Sequence, residues 1–170
     1  MSGAKRFYGK YRGTVTANVD PNFLGRILAI VPDVSHGVPS SWAMPCVPLA
    51  GLLSGTYVVP QIGAGVWIEY EHGDPDHPIW VGCFWGEGQA PPLAESAPPG
   101  DPPVVISTTL QNSVVVSDVP VAPMVEGGVM FISGASSITI SPTMVQIISP
   151  MITINGVMIV NDGALAVAIG

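Results

Sequence analysis

The chain has 170 residues, 48% of them hydrophobic and only 10% charged, with a formal net charge of −7. So little charge leaves a lone monomer short of polar surface and argues for an obligate assembly. The negative balance disfavours general nucleic-acid binding, where phosphates require a basic stripe.

All five basic residues, Lys5, Arg6, Lys10, Arg12 and Arg26, lie near the start, a small patch suited to an acidic protein partner. The opening MSGAKRFYGKYRG lacks the continuous apolar core of a secretory signal, and no run reaches the ~18 apolar residues of a membrane helix. Gly and Pro are abundant and no stretch has a convincing amphipathic helical period, so the expectation is an all-β chain.

The first strand falls in Tyr8–Ala17, followed by a turn at Asn18-Val19-Asp20-Pro21. A second runs from Leu24 to Pro32, where proline ends it. Asp33 to Ser41 is a loop, and Trp42 to Val47 is short and extended. Tyr57 to Pro60 leads into Val66–Glu71, where Val66, Ile68 and Tyr70 face one way and Trp67, Glu69 and Glu71 the other. The polar turn His72 to His77 precedes a last strand, Pro78 to Trp85. About five strands with unequal loops suit a small closed barrel of the OB type. Trp42, Trp67, Trp80 and Trp85 are expected to pack in that barrel or at a subunit contact.

Gly86 to Pro103 holds six prolines in 18 residues and is expected to be an extended, semi-rigid linker. The expected division is therefore a barrel over 1–86, a linker over 87–103 and a second part over 104–170. That part begins with strand-like runs at Val104–Leu110, Ser113–Val119 and Val129–Ser133.

The stretch from Ser137 to Asn161 has no charged or aromatic residue. Its pairs Ile138/Ile140, Val145/Ile147, Ile152/Ile154 and Val157/Ile159 have the two-residue period of strands with one buried face. Ser141-Pro142, Ser149-Pro150, Asn155-Gly156 and Asn161-Asp162-Gly163 close the successive runs as turns. Burying each Ile or Val contributes ~1.5–3 kcal/mol, while ordering each residue's backbone costs ~1–2 kcal/mol, so one copy roughly breaks even. Three copies sharing an axis would bury all eight apolar side chains together. The expectation is an intertwined threefold β-helix or β-prism, weighed against an ordinary sandwich in a monomer.

Other candidate sites read as structure. His72, Asp74, Asp76 and His77 cluster, but Gly73 and Asp74-Pro75 carry turn chemistry. Glu69 and Glu71 as i, i+2 neighbours would lie ~6.5–7 Å apart, within the span of paired hydrolytic carboxylates, yet a solvated strand face explains both. The tryptophans are possible stacking platforms for sugar or single strands, but no Lys or Arg interleaves them. Cys46 and Cys83 do not form a CxxC pair and are expected to be buried free thiols. No catalytic, cofactor or metal site is expected.

The series Tyr11-Arg12-Gly13, Asp20-Pro21, Leu24-Gly25-Arg26, Trp42 to Cys46, Pro60 to Glu69, Gly73 to Asp76, Pro78 to Gly82 and Trp85-Gly86 resembles the baseplate assembly protein V family, akin to VgrG spikes. The resemblance spans residues 8–86, and the ending ITING…VNDGALAV is similar to the needle ends of short spikes. It implies a non-enzymatic homotrimeric central spike with an OB barrel and a β-helical needle, assembled in the cytoplasm into a phage or phage-like particle. The implied partners are the baseplate hub, the inner-tube end, a PAAR-type tip protein and, transiently, a target membrane, with no nucleic acid. Some relatives carry a His-x-His iron site at the needle tip; here no His or Cys follows Cys83, so no tip metal is expected. The rival expectation is an OB module for oligosaccharide or single-stranded nucleic acid with a trimerising tail.

Overall fold

The computed structural model describes residues 5–154 and 157–159. The chain divides into two compact units, Met1–Gln89 and Ala90–Gly170. Among the described residues no helix is long and apolar enough to cross a membrane.

The first unit holds β1 (Tyr11–Ala17), β2 (Leu28–Ile30), a single helical turn α1 (Pro32–Ser35), β3 (Met44–Pro45), the small hairpin β4 (Ala50–Gly51) and β5 (Ser54–Gly55), β6 (Gly65–Tyr70) and β7 (Pro78–Phe84). Its main sheet runs β2-β1-β6-β7-β3, antiparallel except for the parallel β3–β7 pair. Ile27 and Ala43, just ahead of β2 and β3, exchange both backbone hydrogen bonds, at 3.2 and 2.8 Å. That bridge joins the two sheet edges and closes the curl. A closed curl leaves no broad unpaired edge.

Inside sit Val15, Ile27, Ala29, Val31, Ala43, Val66, Ile68, Tyr70 and Trp80. The alternation expected for β6 holds: Val66, Ile68 and Tyr70 are buried, while Trp67 and Glu69 lie partly exposed on the other face. Two strands are shorter than expected. The second begins at Leu28 rather than Leu24 because the Leu24 and Arg26 N–H groups donate to the Asp20 carboxylate and not to a ladder. β6 ends at Tyr70, and Glu71 opens a 3-10 turn through His72 at φ 50°.

The second unit is an antiparallel meander of five neighbours in chain order: β8 (Val104–Ser107), β9 (Ser113–Ser117), β10 (Gly128–Ser133), β11 (Ser136–Ile140) and β12 (Val145–Ile148). A separate two-stranded pair follows, β13 (Ile152–Ile154) with β14 (Val157–Ile159). One sheet face has its own cover. Val115 and Met130 are buried beneath Val121 and Met124 of the β9–β10 connection, with Leu93 and Ala97 packed against them. Leu93 lies in a 3-10 turn, Pro92–Glu95, so the Pro-rich stretch differs from the extended spacer expected over 87–103. Its apolar residues have a core to join.

The Glu126-Gly127-Gly128 break has a steric cause. A Cβ on Gly127 would stand 2.4 Å from the Asp118 carbonyl oxygen, and one on Gly128 2.2 Å from that of Ile140. Only glycine lets β10 enter between β9 and β11. The strands over 104–148 pair with their own sequence neighbours. Within the single chain they form a meander, which differs from the winding expected for an intertwined β-helix.

Candidate interaction surfaces

The barrel's outer face is set by register. Arg12 on β1 lies opposite Trp67 on β6, and Gly65 lies opposite Phe84 on β7. A Cβ on Gly65 would meet the Phe84 ring at 2.5 Å, so that ring lies directly across the glycine. Trp67 and Phe84 rings stand 5.1 Å apart, and the exposed Arg12 guanidinium sits 5.4 and 5.2 Å from their respective centroids. Next to it Lys10 pairs with Glu69. This cluster was not read as a unit from sequence. Its signal was the outward phase of Trp67, which becomes informative only once β1 is paired with β6.

Behind the barrel wall, Asp20 is the best-bonded carboxylate. Asn22 and Leu24 donate backbone N–H bonds to it at 3.0 and 2.9 Å, and Arg26 closes a fork with Nη2 at 2.6 Å and Nε at 3.1 Å. These donors, Arg26 first, hold the Asp20 carboxyl far below the ordinary carboxylate range. Arg26 also lies 5.4 Å from the Trp42 ring centroid. A saturated, buried carboxylate of this kind is a structural pin for the Asp20–Arg26 loop, with no lone pair free for a substrate.

The remaining singled-out residues scatter. Trp80 is buried and its Nε1–H donates to the Gly25 carbonyl at 3.1 Å, whereas Trp85 is 72% exposed and does not pack in the barrel as expected. The register that buries Trp80 ends with β7 at Phe84. Asp74 takes the Asp76 N–H at 3.1 Å and the Arg6 guanidinium at 3.3 Å, which is turn chemistry. Glu69 and Glu71 do not share a strand face, because Glu71 belongs to the 3-10 turn. Cys46 and Cys83 are free but exposed, not buried, since both open onto a hollow lined also by Thr56, Val58 and Pro60. Desolvation pushes the Cys83 thiol above its ordinary value, away from an activated thiolate.

The β4–β5 hairpin stands off the barrel as an uncharged arm. Its tip residues Leu52 and Leu53 are 94% and 100% exposed. Beneath it Phe23, Leu24, Leu49 and Tyr57 line a hollow of about 540 Å3.

The second unit presents the larger surface. Strand register puts Val104, Val116, Val129, Ile140 and Val145 in one row across the sheet, and Ile106, Val114, Phe131, Ile138 and Ile147 in the next. Both rows lie on the face opposite Val115 and Met130. Eight of these side chains are exposed and Val114 and Val129 are half-buried. No polar side chain interrupts either row. Of the expected assembly residues, Ile138, Ile140, Val145 and Ile147 belong here, while Ile152 is half-exposed in the next pair. For Ile154, Val157 and Ile159 the described structure is the backbone alone. Asn155-Gly156 and Asn161 to Gly163 lie outside the described residues. The six partners on β8, β9 and β10 were missed, since alternation alone does not say which face the chain covers for itself.

Residues 11–85, inside the first unit, match the family described as the Type VI secretion system/phage-baseplate injector OB domain. No curated protein matches the chain.

Proposed function

We propose, starting from a barrel that belongs to the Type VI secretion system/phage-baseplate injector OB-domain family, that this chain is the non-enzymatic central spike of a contractile injection particle. The family supports a structural role at a baseplate. The finer reading has the barrel docked to the hub at the inner-tube end and the second unit forming a needle from three copies. A PAAR-type protein caps the needle, and the tip meets the target membrane when the sheath contracts. Assembly takes place in the cytoplasm.

The observation that carries this is the two-row apolar face of β8 to β12. Exposed apolar patches beyond a few hundred Å2 mark association sites rather than monomer surface. Five strands at ~4.8 Å spacing and two rows ~7 Å apart already span an area of that order. Three such faces turned towards a common axis form a prism in which each sheet keeps its own hydrogen-bond ladder.

Light scattering on the full chain tests it. The expected mass is three times the chain mass of 17.6 kDa. Ile140→Asp or Phe131→Asp sets a charge into the shared face and should abolish the trimer, whereas Gln146→Asp, on the opposite sheet face, should not. A monodisperse monomer of the unaltered chain, or trimers from Phe131→Asp, would refute the reading.

A further inference from the structure

Arg12 and Lys5 stand apart from the other described cations of the barrel, Lys5 lying 4.9 Å from the Phe7 ring centroid. Lys10 is paired with Glu69, Arg6 with Asp74 and Arg26 with Asp20. Among the described residues Arg12 has no carboxylate partner, although the chain as a whole is strongly acidic. Its guanidinium is nevertheless held, lying within 5.4 Å of both the Trp67 and Phe84 centroids. The two rings are themselves fixed, Phe84 by the space over Gly65 and Trp67 by contact with Phe84.

A guanidinium held on aromatic faces has lost much of its rotamer freedom before any partner arrives, and it keeps its in-plane N–H donors free. Arg and Trp are also the residue types most enriched where binding energy concentrates at protein contacts. Lys10 and Glu69 beside it neutralise one another, so the local field is that of a single positive charge on an apolar bed.

We propose that this β1–β6–β7 face is a docking site for a protein partner that presents a carboxylate ringed by apolar atoms. Arg12 forms the ion pair, and Trp67 with Phe84 make the platform around it. The inference rests on the baseplate reading and assigns the contact to the hub protein. A polyanion is disfavoured because the face offers one unpaired cation and no basic stripe.

The test measures binding of the full chain to the hub protein of the same particle, with trimer mass and melting temperature checked for each variant. Arg12→Ala should weaken binding about 30-fold or more. Arg12→Lys should weaken it about 10-fold, since an ammonium neither spreads over two rings nor forks onto a carboxylate. Lys10→Ala should stay within about threefold, its charge being spent on Glu69. Arg12→Ala binding within threefold of the unaltered chain would overturn the assignment. A changed trimer mass would overturn it too, by placing Arg12 between copies. So would Arg12-dependent capture of a single-stranded oligonucleotide. Failure of the unaltered chain to bind the hub at all would instead strike the baseplate reading.

Discussion

At the scale of single residues, Asp20 shows how one carboxylate shapes a loop. Its side chain is 1% exposed and takes the Arg26 fork together with the backbone donors of the Asp20–Arg26 turn. Because the folded-state value is depressed, its contribution to stability is fully present above the ordinary carboxylate value of ~4 and is lost as pH falls below it. Asp20→Asn removes the charge and leaves the half-buried Arg26 without a counter-ion, which is more damaging than never having had the pair. The expected loss in melting temperature at pH 7 is roughly 10 °C or more for a domain of this size. Thermal melts at pH 7 and pH 3 should show the gap to the unaltered protein narrowing in acid. A gap that is constant with pH would mean the carboxylate's charge is not what matters.

Strands and turns show what sequence reasoning can and cannot reach. The phase of β6 was legible because it lies mid-barrel, where alternation and burial agree. Ile138/Ile140 and Val145/Ile147 were legible as face-sharing pairs from alternation alone, although all four are exposed in the single chain. The start of the second strand was not, because the Asp20 carboxylate, a few residues upstream, competes for its N–H groups. Nor was the cover on the β9–β10 face, because Val121 and Met124 come from an irregular connection with no period to read. Proline content pointed to an extended spacer over 86–103 and said nothing about Leu93 finding a core. Leu93→Ala tests that contact: a half-buried leucine in a packed setting should cost the second unit about 1–2 kcal/mol. A change under ~0.5 kcal/mol, the ordinary surface range, would return the stretch to a passive spacer. Glu126 ties the same connection to the β11–β12 turn by accepting from Ser141 Oγ at 2.6 Å and from the Thr143 N–H at 3.2 Å.

For the whole molecule, the two units call for different physics. The barrel encloses its own core and has a closed curl, so its stability belongs to one chain. The second unit covers one face of its sheet and leaves the other bare, so its stability should depend on how many copies are present. The tryptophans separate the two cleanly, because all four of them, Trp42, Trp67, Trp80 and Trp85, lie in the first unit. Fluorescence during urea unfolding therefore reports the barrel, whereas far-ultraviolet circular dichroism reports both sheets. Raising protein concentration tenfold should leave the fluorescence midpoint in place and move a second, dichroism-only transition to higher urea. Trimer dissociation coupled to unfolding has that mass-action signature, and a self-sufficient monomeric sheet does not. Because β8 to β12 keep their ladders within one chain, the proposed trimer would be held there by side chains alone. Phe131→Ala should then lower the dichroism transition and leave the fluorescence transition where it was. A single transition seen by both probes and insensitive to concentration would mean that the bare face is tolerated by a lone chain, and the threefold needle would lose its physical reason.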